Sequence, residues 1–296
     1  MIELVYNGGL GNQMFQYCFA RMTAQEMGLK LRAKPLADFP NTNEPVFGQE
    51  IEKPEIKLTC TKENPLNYAS VLKHKNEKII LDGFFQNFNQ YPFNKEQITK
   101  WFELPDYNRK YKIYSNDLVI HLRLGDYTYH GLSLTYDYYK QILAQTTFDK
   151  LYIVTNQPND QFLKNFKTDY EPIIISHKEH IKDLQFITKF SKIIGSASTF
   201  SWWSAYLAPS LKEFYWPMPI RGIEDNYLMG LRLDKPEFKT VYNCVEWRRQ
   251  KLNGISFLLE KLGLIKNEPI ISTDNKRKIP NQVLSFHENS EYIILK

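Results

Sequence analysis

Three side chains that can bind or activate a ligand lie close together in the segment LVIHLRLGDY, residues 118–127. An apolar, β-type run is followed by His121, Arg123 and Asp126, and Gly125 allows the chain to turn between the last two. Polar residues at the end of a buried strand are typical of a ligand site at the carboxyl edge of a parallel sheet. The arginine suits an anion, because its planar fork donates paired hydrogen bonds to phosphate or carboxylate. A strand-end Arg–Asp salt bridge with a capping histidine is the alternative, which this segment alone leaves open.

A helix start rich in hydroxyl groups lies in the segment GSASTFSWWSAYL, residues 195–207. The pattern predicts a helix that begins at Ser198 or Thr199, directly after a strand. Such an N-terminus offers unpaired N–H groups, hydroxyl groups and a positive dipole end, which together favour phosphate. Either hydroxyl could also be a plain N-cap, worth about 1 kcal/mol, and the two roles are compatible. We do not expect Ser201 to be a nucleophile, because no G-x-S-x-G motif surrounds it.

A glycine turn, NGGLG at 7–11, separates the first predicted strand from the first predicted helix. Gly9 and Gly11 would let backbone N–H groups at the helix start come close to a ligand. The full dinucleotide-binding fingerprint G-x-G-x-x-G is absent, so a tight turn without a ligand is the alternative.

These three segments must be positioned by strands that alternate with helices. In the first half the pattern predicts strands at 2–6 and 79–84, helices at 12–28 and 94–102, and an irregular stretch at 31–76. In the second half it predicts strands at 118–122, 151–155, 171–176, 192–195 and 214–216, and helices beginning near 135, 160, 181 and 198. Alternation of this kind indicates an α/β fold with two doubly wound, Rossmann-like domains facing a cleft. We place a first domain at 1–112, a second domain at 116–246 and a basic extension at 247–296.

Composition and charge narrow the class of protein. Of the 296 residues, 43% are hydrophobic, which supplies a packed core and excludes a disordered chain. The net charge of +5 is mild and concentrated in 247–296, where nine Lys/Arg stand against five Asp/Glu. The near-neutral remainder lacks the basic stripe of a nucleic-acid-binding protein. Three cysteines without metal-ligand spacing, and the lack of a secretion signal or membrane span, predict a reduced, cytoplasmic protein.

Five motifs, taken in order, resemble the bacterial α-1,2-fucosyltransferases of glycosyltransferase family 11. They are GGLGNQMFQY at 8–17, LDGFFQNFNQY at 81–91, HLRLGDY at 121–127, HGLSLTYDYY at 130–139 and STFSWW at 198–203. Each motif is only moderately specific, whereas five in register are highly specific. The resemblance extends over residues 2–220.

The resemblance implies a GT-B fold and an inverting transfer of L-fucose from GDP-L-fucose to a hydroxyl group, commonly O2 of a terminal galactose in a glycan. It implies that 1–112 is the acceptor-side domain and 116–246 the GDP-sugar-binding domain. It implies no metal and no other cofactor. Asn12 and Gln13 would lie against the donor, and Arg123 would bind its diphosphate. The expected role is the building of a surface polysaccharide or of the O-antigen of lipopolysaccharide. The alternatives are a GT-B transferase with another nucleotide sugar, and a non-catalytic homologue that binds a nucleotide sugar or glycan.

In the mechanism that we expect, the acceptor hydroxyl attacks the anomeric carbon from the face opposite GDP. Arg123 and the helix start at 198–199 would stabilise the departing diphosphate, and His121 would position it or the glycine turn. Asp126 is the candidate general base, although a clamp on Arg123 suits it at least as well. His130 is a second candidate, and a route without a base stays open.

Three features depart from the family pattern. The second arginine that is usual in H-x-R-R-G-D is Leu124 here, which reduces the positive charge expected near the phosphate. The segment NQPND at 156–160 stands where the family often has S-D-D, which leaves the contacts to the nucleotide base open. Residues beyond 220 do not match the family, and their basic segment predicts either a helix packed on the body or an amphipathic helix peripheral to the cytoplasmic face of the membrane.

Overall fold

A computed structural model shows an α/β protein built on two largely parallel sheets. It describes residues 1–60, 68–86, 95–104, 111–129 and 133–217, together with the backbone of four short strands between 242 and 295.

The elements follow one another in this order along the chain. The strands are β1 (Ile2–Val5), β2 (Leu31–Arg32), β3 (Glu55–Cys60), β4 (Lys78–Gly83), β5 (Leu118–Leu122), β6 (Leu151–Thr155), β7 (Ile173–Ile175), β8 (Lys192–Ile194), β9 (Glu213–Pro217), β10 (Tyr242–Asn243), β11 (Lys278–Ile279), β12 (Asn281–Ser285) and β13 (Ile294–Leu295). The helices are α1 (Leu10–Met27), α2 (Tyr68–Leu72), α3 (Lys95–Trp101), α4 (Asp126–Tyr129), α5 (Tyr136–Leu143), α6 (Leu163–Tyr170), α7 (His180–Ile187) and α8 (Thr199–Tyr206), with a 3-10 helix at Pro40–Asn43.

The first sheet has the strand order β2-β1-β4-β3, and all its pairs are parallel. Helix α1 starts five residues after β1 ends and runs for 18 residues, largely buried against this sheet and against α8. It ends at Gly28, whose left-handed backbone, with φ of 63°, lets its N–H reach the last helix carbonyls. The connections of this sheet change direction between the neighbouring strands β1 and β4. The glycine turn after β1 therefore lies at the carboxyl edge of the sheet, at its switch point.

The second sheet contains the parallel order β7-β6-β5-β8-β9, which is the 3-2-1-4-5 order of a Rossmann domain. Strands β12 and β13 extend it in antiparallel fashion beyond β9. Its topological switch point lies between β5 and β8, which are direct neighbours. Ligands of such sheets bind beyond the carboxyl ends of the strands at this point.

Alternation along β5 separates two faces of the second sheet. Leu118, Ile120 and Leu122 point into one apolar cluster, whereas Val119 points into the other, which includes α1 and α8. By the same period of two, the side chains at 121 and 123 lie on the face of Val119. The strand therefore delivers His121 and Arg123 toward α8 and the first half of the chain.

The two halves share the larger apolar cluster. The ring of Phe15 on α1 lies 4.8 Å, centroid to centroid, from both Trp202 and Trp203 on α8. Both tryptophans are almost completely buried. Packing, not ligand stacking, is therefore what these rings do.

The α/β class with two largely parallel, Rossmann-like sheets is confirmed. Segments at the carboxyl edges of the two sheets meet where Gly11 approaches Thr199. The proposed boundaries of the domains stay predictions, and 105–110 in the linker fall outside the described residues.

Three local expectations were wrong. The stretch at 31–76 is not irregular, since it contains β3, an edge strand in which exposed Glu55, Lys57 and Thr59 alternate with less exposed residues. The residues after Gly125 form the single turn α4 and not a loop. Helix α6 begins three residues later than 160, because the Asp160 carboxylate accepts the N–H of Phe162 (2.8 Å) in a local turn.

Replacing Ile120 tests the central position of β5. This side chain is fully buried, so Ile120→Ala should lower the free energy of unfolding by about 2–5 kcal/mol, through lost burial and a cavity. Ile120→Val, which removes one methylene, should cost about 0.5–1.5 kcal/mol. Urea unfolding monitored by tryptophan fluorescence measures both; an equal and small cost for the two variants would show that β5 is not a core strand.

Candidate functional site

The carboxyl ends of β5 and β8 are tied together by one serine. Ser196, two residues after β8, donates from its hydroxyl to the carbonyl of His121 (2.6 Å) and accepts the backbone N–H of Arg123 (2.9 Å). Ser196 is almost completely buried. The backbone of Arg123 is therefore fixed at the switch point of the Rossmann sheet, where a ligand is expected.

The Arg123 guanidinium forms an ion pair with Asp126 but remains accessible to solvent. Its Nη2 atom lies 3.0 Å from the Asp126 carboxylate, and its side chain keeps 30% of its exposure. Gly125, with φ of 70°, makes the turn that brings the carboxylate back. The guanidinium also lies 5.5 Å from the centroid of the Tyr127 ring. A half-exposed ion pair of this kind adds only about 0–1 kcal/mol to stability, so a stronger anion can compete for the arginine.

The loop after Arg123 is fastened to the neighbouring strand by Asn156. Its side chain accepts the N–H of Leu124 (3.0 Å) and donates to the carbonyl of the same residue (3.1 Å). The Leu124 side chain is buried in the apolar cluster on the face opposite to Arg123. Leucine at this position therefore follows from its burial, because an arginine there would place a charge in the core.

The His121 imidazole is buried and contacts two residues of α8. Its Nδ1 lies 2.6 Å from the Ser201 hydroxyl, and its ring centroid lies 5.0 Å from that of Phe200. Burial, reinforced by the nearby charge of Arg123 and by His180, lowers the pKa of His121 to about 3. The ring is therefore neutral at physiological pH, and its side chain contacts α8 rather than the glycine turn.

The N-termini of α1 and α8 meet at Gly11. A Cβ atom built on Gly11 would lie 2.7 Å from the Phe200 nitrogen and 2.7 Å from the Thr199 hydroxyl. The Trp203 indole also donates to the Gly11 carbonyl (3.0 Å). Neither helix has an acidic residue in its first turn, so two uncompensated positive dipole ends lie side by side.

Asn12 is held at this junction by two donors. Its side-chain oxygen accepts the Thr199 hydroxyl and the Gln86 amide, both at 2.9 Å. Gln86 is presented by Phe85, which has a left-handed backbone (φ 49°) and stacks on Phe19 at 4.4 Å. With its oxygen occupied twice, Asn12 keeps an amide N–H₂ as a donor.

The remaining sequence-predicted residues cap or flank the same helix ends. Ser198 is the N-cap of α8 and accepts the N–H of Phe200 (3.2 Å). Gly9 is the N-cap of α1, with extended backbone and no side-chain cap. Gln13 turns its amide back to the Gly8 carbonyl (2.9 Å), in an exposed position.

The structure thus brings the glycine turn, the start of α8 and the end of β5 together at facing sheet edges. Asp126 pairs with the Arg123 guanidinium, and among the hydrogen bonds of the described residues no other carboxylate and no imidazole contacts that guanidinium. His130, the second candidate base, and the extension at 247–296 lie outside the described residues, apart from the backbone of the short strands.

Sequence reasoning missed four residues that build the site. Ser196, Ser201, Gln86 and Asn156 all connect segments that are far apart in the chain. Ser196 and Asn156 each lie directly after a predicted strand, and this position was the signal for them. The partners of the others depend on the tertiary fold.

Within the described residues no group of three or more His, Cys, Asp or Glu side chains could hold a metal ion. No helix in the described part of the chain has the length and apolar character needed to cross a membrane.

Among known proteins, the chain is similar to solved structures only. No protein-family model and no curated protein matches the chain. A mutant of Arabidopsis thaliana FUT1 in complex with GDP superposes with a TM-score of 0.48 at 12% identity, covering 74% of this chain and 71% of that one. The α-1,6-fucosyltransferase NodZ, soaked with GDP-fucose, gives 0.46 at 12% identity, covering 72% and 94%. Likeness at this level assigns no activity to this chain.

Replacing Gly11 tests the contact between the two helix ends. Gly11→Ala should lower the free energy of unfolding by about 1–3 kcal/mol, because the new methyl group forces backbone apart. Gly9→Ala is the matched control, since nothing lies within 4 Å of a Cβ there. Thermal or urea unfolding measures both variants. A Gly11→Ala protein that is as stable as the Gly9→Ala protein would contradict the close approach.

Proposed function

We propose that this protein is a glycosyltransferase that moves L-fucose from GDP-L-fucose to a hydroxyl group of a glycan. The observation that carries the proposal is the position of Arg123 at the switch point of the second sheet, with its backbone bonded to Ser196 just before α8, a helix that, like α1, has no acidic residue in its first turn. A nucleoside diphosphate is the ligand that matches this combination, since a diphosphate gains from both the guanidinium and the helix ends.

The choice of GDP-L-fucose rests on the motifs of the sequence. GGLGNQMFQY, HLRLGDY and STFSWW supply the three parts of the site, and they are the segments that resemble the α-1,2-fucosyltransferases. The finer proposal is therefore an inverting transfer to O2 of a terminal galactose, in the building of a surface glycan such as the O-antigen. We further propose that the reaction needs no metal and takes place in the cytoplasm, with peripheral membrane contact, if any, through 247–296.

In the proposed reaction the acceptor oxygen bonds to the anomeric carbon of fucose while the bond from that carbon to the β-phosphate oxygen breaks. Arg123 and the N–H groups at the start of α8 stabilise the negative charge that develops on GDP. Asp126 holds Arg123 in the ligand-free protein. When the diphosphate takes over the guanidinium, the carboxylate is released at the cleft and can accept the proton of the acceptor hydroxyl.

The donor class can be tested by thermal unfolding with nucleotides. Millimolar GDP, with EDTA present, should raise the melting temperature, because a ligand at about 100 times its Kd adds roughly 2.7 kcal/mol to the stability of the folded state. GMP, UDP and ADP are the comparison ligands. A larger shift with UDP or ADP would indicate a transferase for another nucleotide sugar, and a GDP shift without transfer to any galactoside would indicate a binding homologue.

The role of Arg123 can be tested by kinetics with GDP-L-fucose and a galactoside. Arg123→Ala should lower kcat by about 10²–10³-fold or more with the fold intact, since it removes the charge that stabilises the leaving group. Arg123→Lys should recover only part of the activity, because an ammonium lacks the paired geometry. Arg32→Ala is the control, since Arg32 pairs with glutamates at the edge of the first sheet. An Arg123→Ala enzyme that retains most of its kcat would refute the mechanism.

A further inference from the structure

A chain of hydrogen bonds beneath the site decides where His121 carries its proton. The Ser201 hydroxyl oxygen accepts the backbone N–H of Ser196 (3.1 Å), and the same oxygen lies 2.6 Å from Nδ1 of His121. Ser201 is fully buried, so water does not compete for its hydroxyl proton. With one lone pair of the oxygen occupied by the N–H, the hydroxyl proton is available for Nδ1.

The reverse polarity fits less well. If Nδ1 of His121 donated to Ser201, the serine oxygen would accept two hydrogen bonds and its own proton would need a third partner. Among the described residues no hydrogen bond from the Ser201 hydroxyl to any other acceptor is formed. A buried hydroxyl proton without an acceptor costs about 1–3 kcal/mol, which favours donation from Ser201 to Nδ1.

The charge state of the ring completes the assignment. Burial and the neighbouring Arg123 and His180 lower the pKa of His121 to about 3, so the ring carries one proton at neutral pH. With Nδ1 as acceptor, this proton lies on Nε2. Nε2 forms no hydrogen bond within the described part of the chain. The His121 side chain lies on the face of β5 that contains Val119, the face to which Arg123 also belongs by alternation.

We propose that Ser201 is a positioning residue that fixes His121 as the Nε2–H tautomer, so that the imidazole donates from Nε2 to an acceptor atom of the bound donor nucleotide. The identity of that nucleotide rests on the proposed function, whereas the tautomer does not. A neutral donor beside Arg123 adds direction to ligand binding without placing a second positive charge against the guanidinium. Ser196 supports the arrangement twice, through its N–H on Ser201 and its hydroxyl on the ends of β5.

The tautomer can be measured directly in the ligand-free, full-length protein. Long-range ¹H–¹⁵N NMR spectra of the six histidines distinguish a protonated from an unprotonated ring nitrogen, and loss of one set of signals in His121→Gln identifies His121. We expect an unprotonated Nδ1 and a protonated Nε2 at neutral pH. A protonated Nδ1 would overturn the proposal, whatever nucleotide the protein binds.

Variants then connect the tautomer to binding. Ser201→Ala should weaken GDP binding by about tenfold or more, the size of a lost hydrogen bond to a charged group, and should mix the tautomers of His121. Ser204→Ala is the matched control. This serine is also fully buried on α8, and among the described residues its hydroxyl bonds only the Phe200 carbonyl of its own helix, so GDP affinity should be unchanged. Equal affinities of the two serine variants, measured by calorimetry on proteins with native melting profiles, would overturn the proposal.

Two replacements of His121 place an amide donor at different positions in the ring. The side-chain nitrogen of His121→Gln can reach the position of Nε2, whereas that of His121→Asn reaches only the position of Nδ1. We expect His121→Gln to retain more GDP affinity than His121→Asn, and the opposite order would overturn the proposal. If the unmodified protein bound UDP or ADP and not GDP, the proposed function would fail while the same comparison, made with that nucleotide, would still test the role of Ser201.

Discussion

The contact between the N-termini of α1 and α8 is the constraint on which the site depends. Two positive dipole ends repel each other, and in this chain no acidic residue in either first turn relieves the repulsion. The contact persists because Gly11 has no side chain, because Trp203 and Thr199 bond across it, and because Phe15 packs against both tryptophans. Apolar burial thus holds the two helix ends together against the repulsion of their dipoles.

The end of β5 lies next to these two helix starts and holds Arg123 in place. Ser196 fixes the backbone of Arg123 to β8, and Asp126 holds the guanidinium in the absence of ligand. Because the clamp is half exposed, its free energy is small compared with that of a diphosphate bound by the same fork. The carboxylate therefore keeps the arginine ordered without blocking it.

Much of this fold was predictable from the sequence, for reasons that are local. The apolar run at 118–120 that opens β5 and the largely apolar β6 are typical of buried strands, and Gly28 is the C-cap that its position indicates. Edge strand β3 was missed although its polar and apolar residues alternate, because the prolines at 54 and 65 on either side of it indicate an irregular stretch. The short helix α4 escaped because one turn leaves no periodic pattern.

The site was predictable in its primary side chains but not in its supports. Arg123 and Thr199 were predictable because each is of a residue type that binds phosphate and lies at the end of a predicted strand or the start of a predicted helix. Ser196 lies 73 residues from Arg123, and Thr199 lies 187 residues from Asn12, so their hydrogen bonds exist only after folding. Leu124 shows the opposite case, since its departure from the family pattern has a structural reason, burial, that becomes visible only in three dimensions.

The aromatic cluster shared by the two halves has a mechanical consequence. Rotating one half against the other would draw Trp202 and Trp203 away from Phe15 and expose rings that are now almost completely buried. Fully exposing even one such ring costs a few kcal/mol, so a wide hinge motion is unfavourable. The separation of the facing edges is then set before any ligand arrives. For the ligand proposed above, selection would then rest on the fit to edges whose separation is already set, and not on the work of closing them.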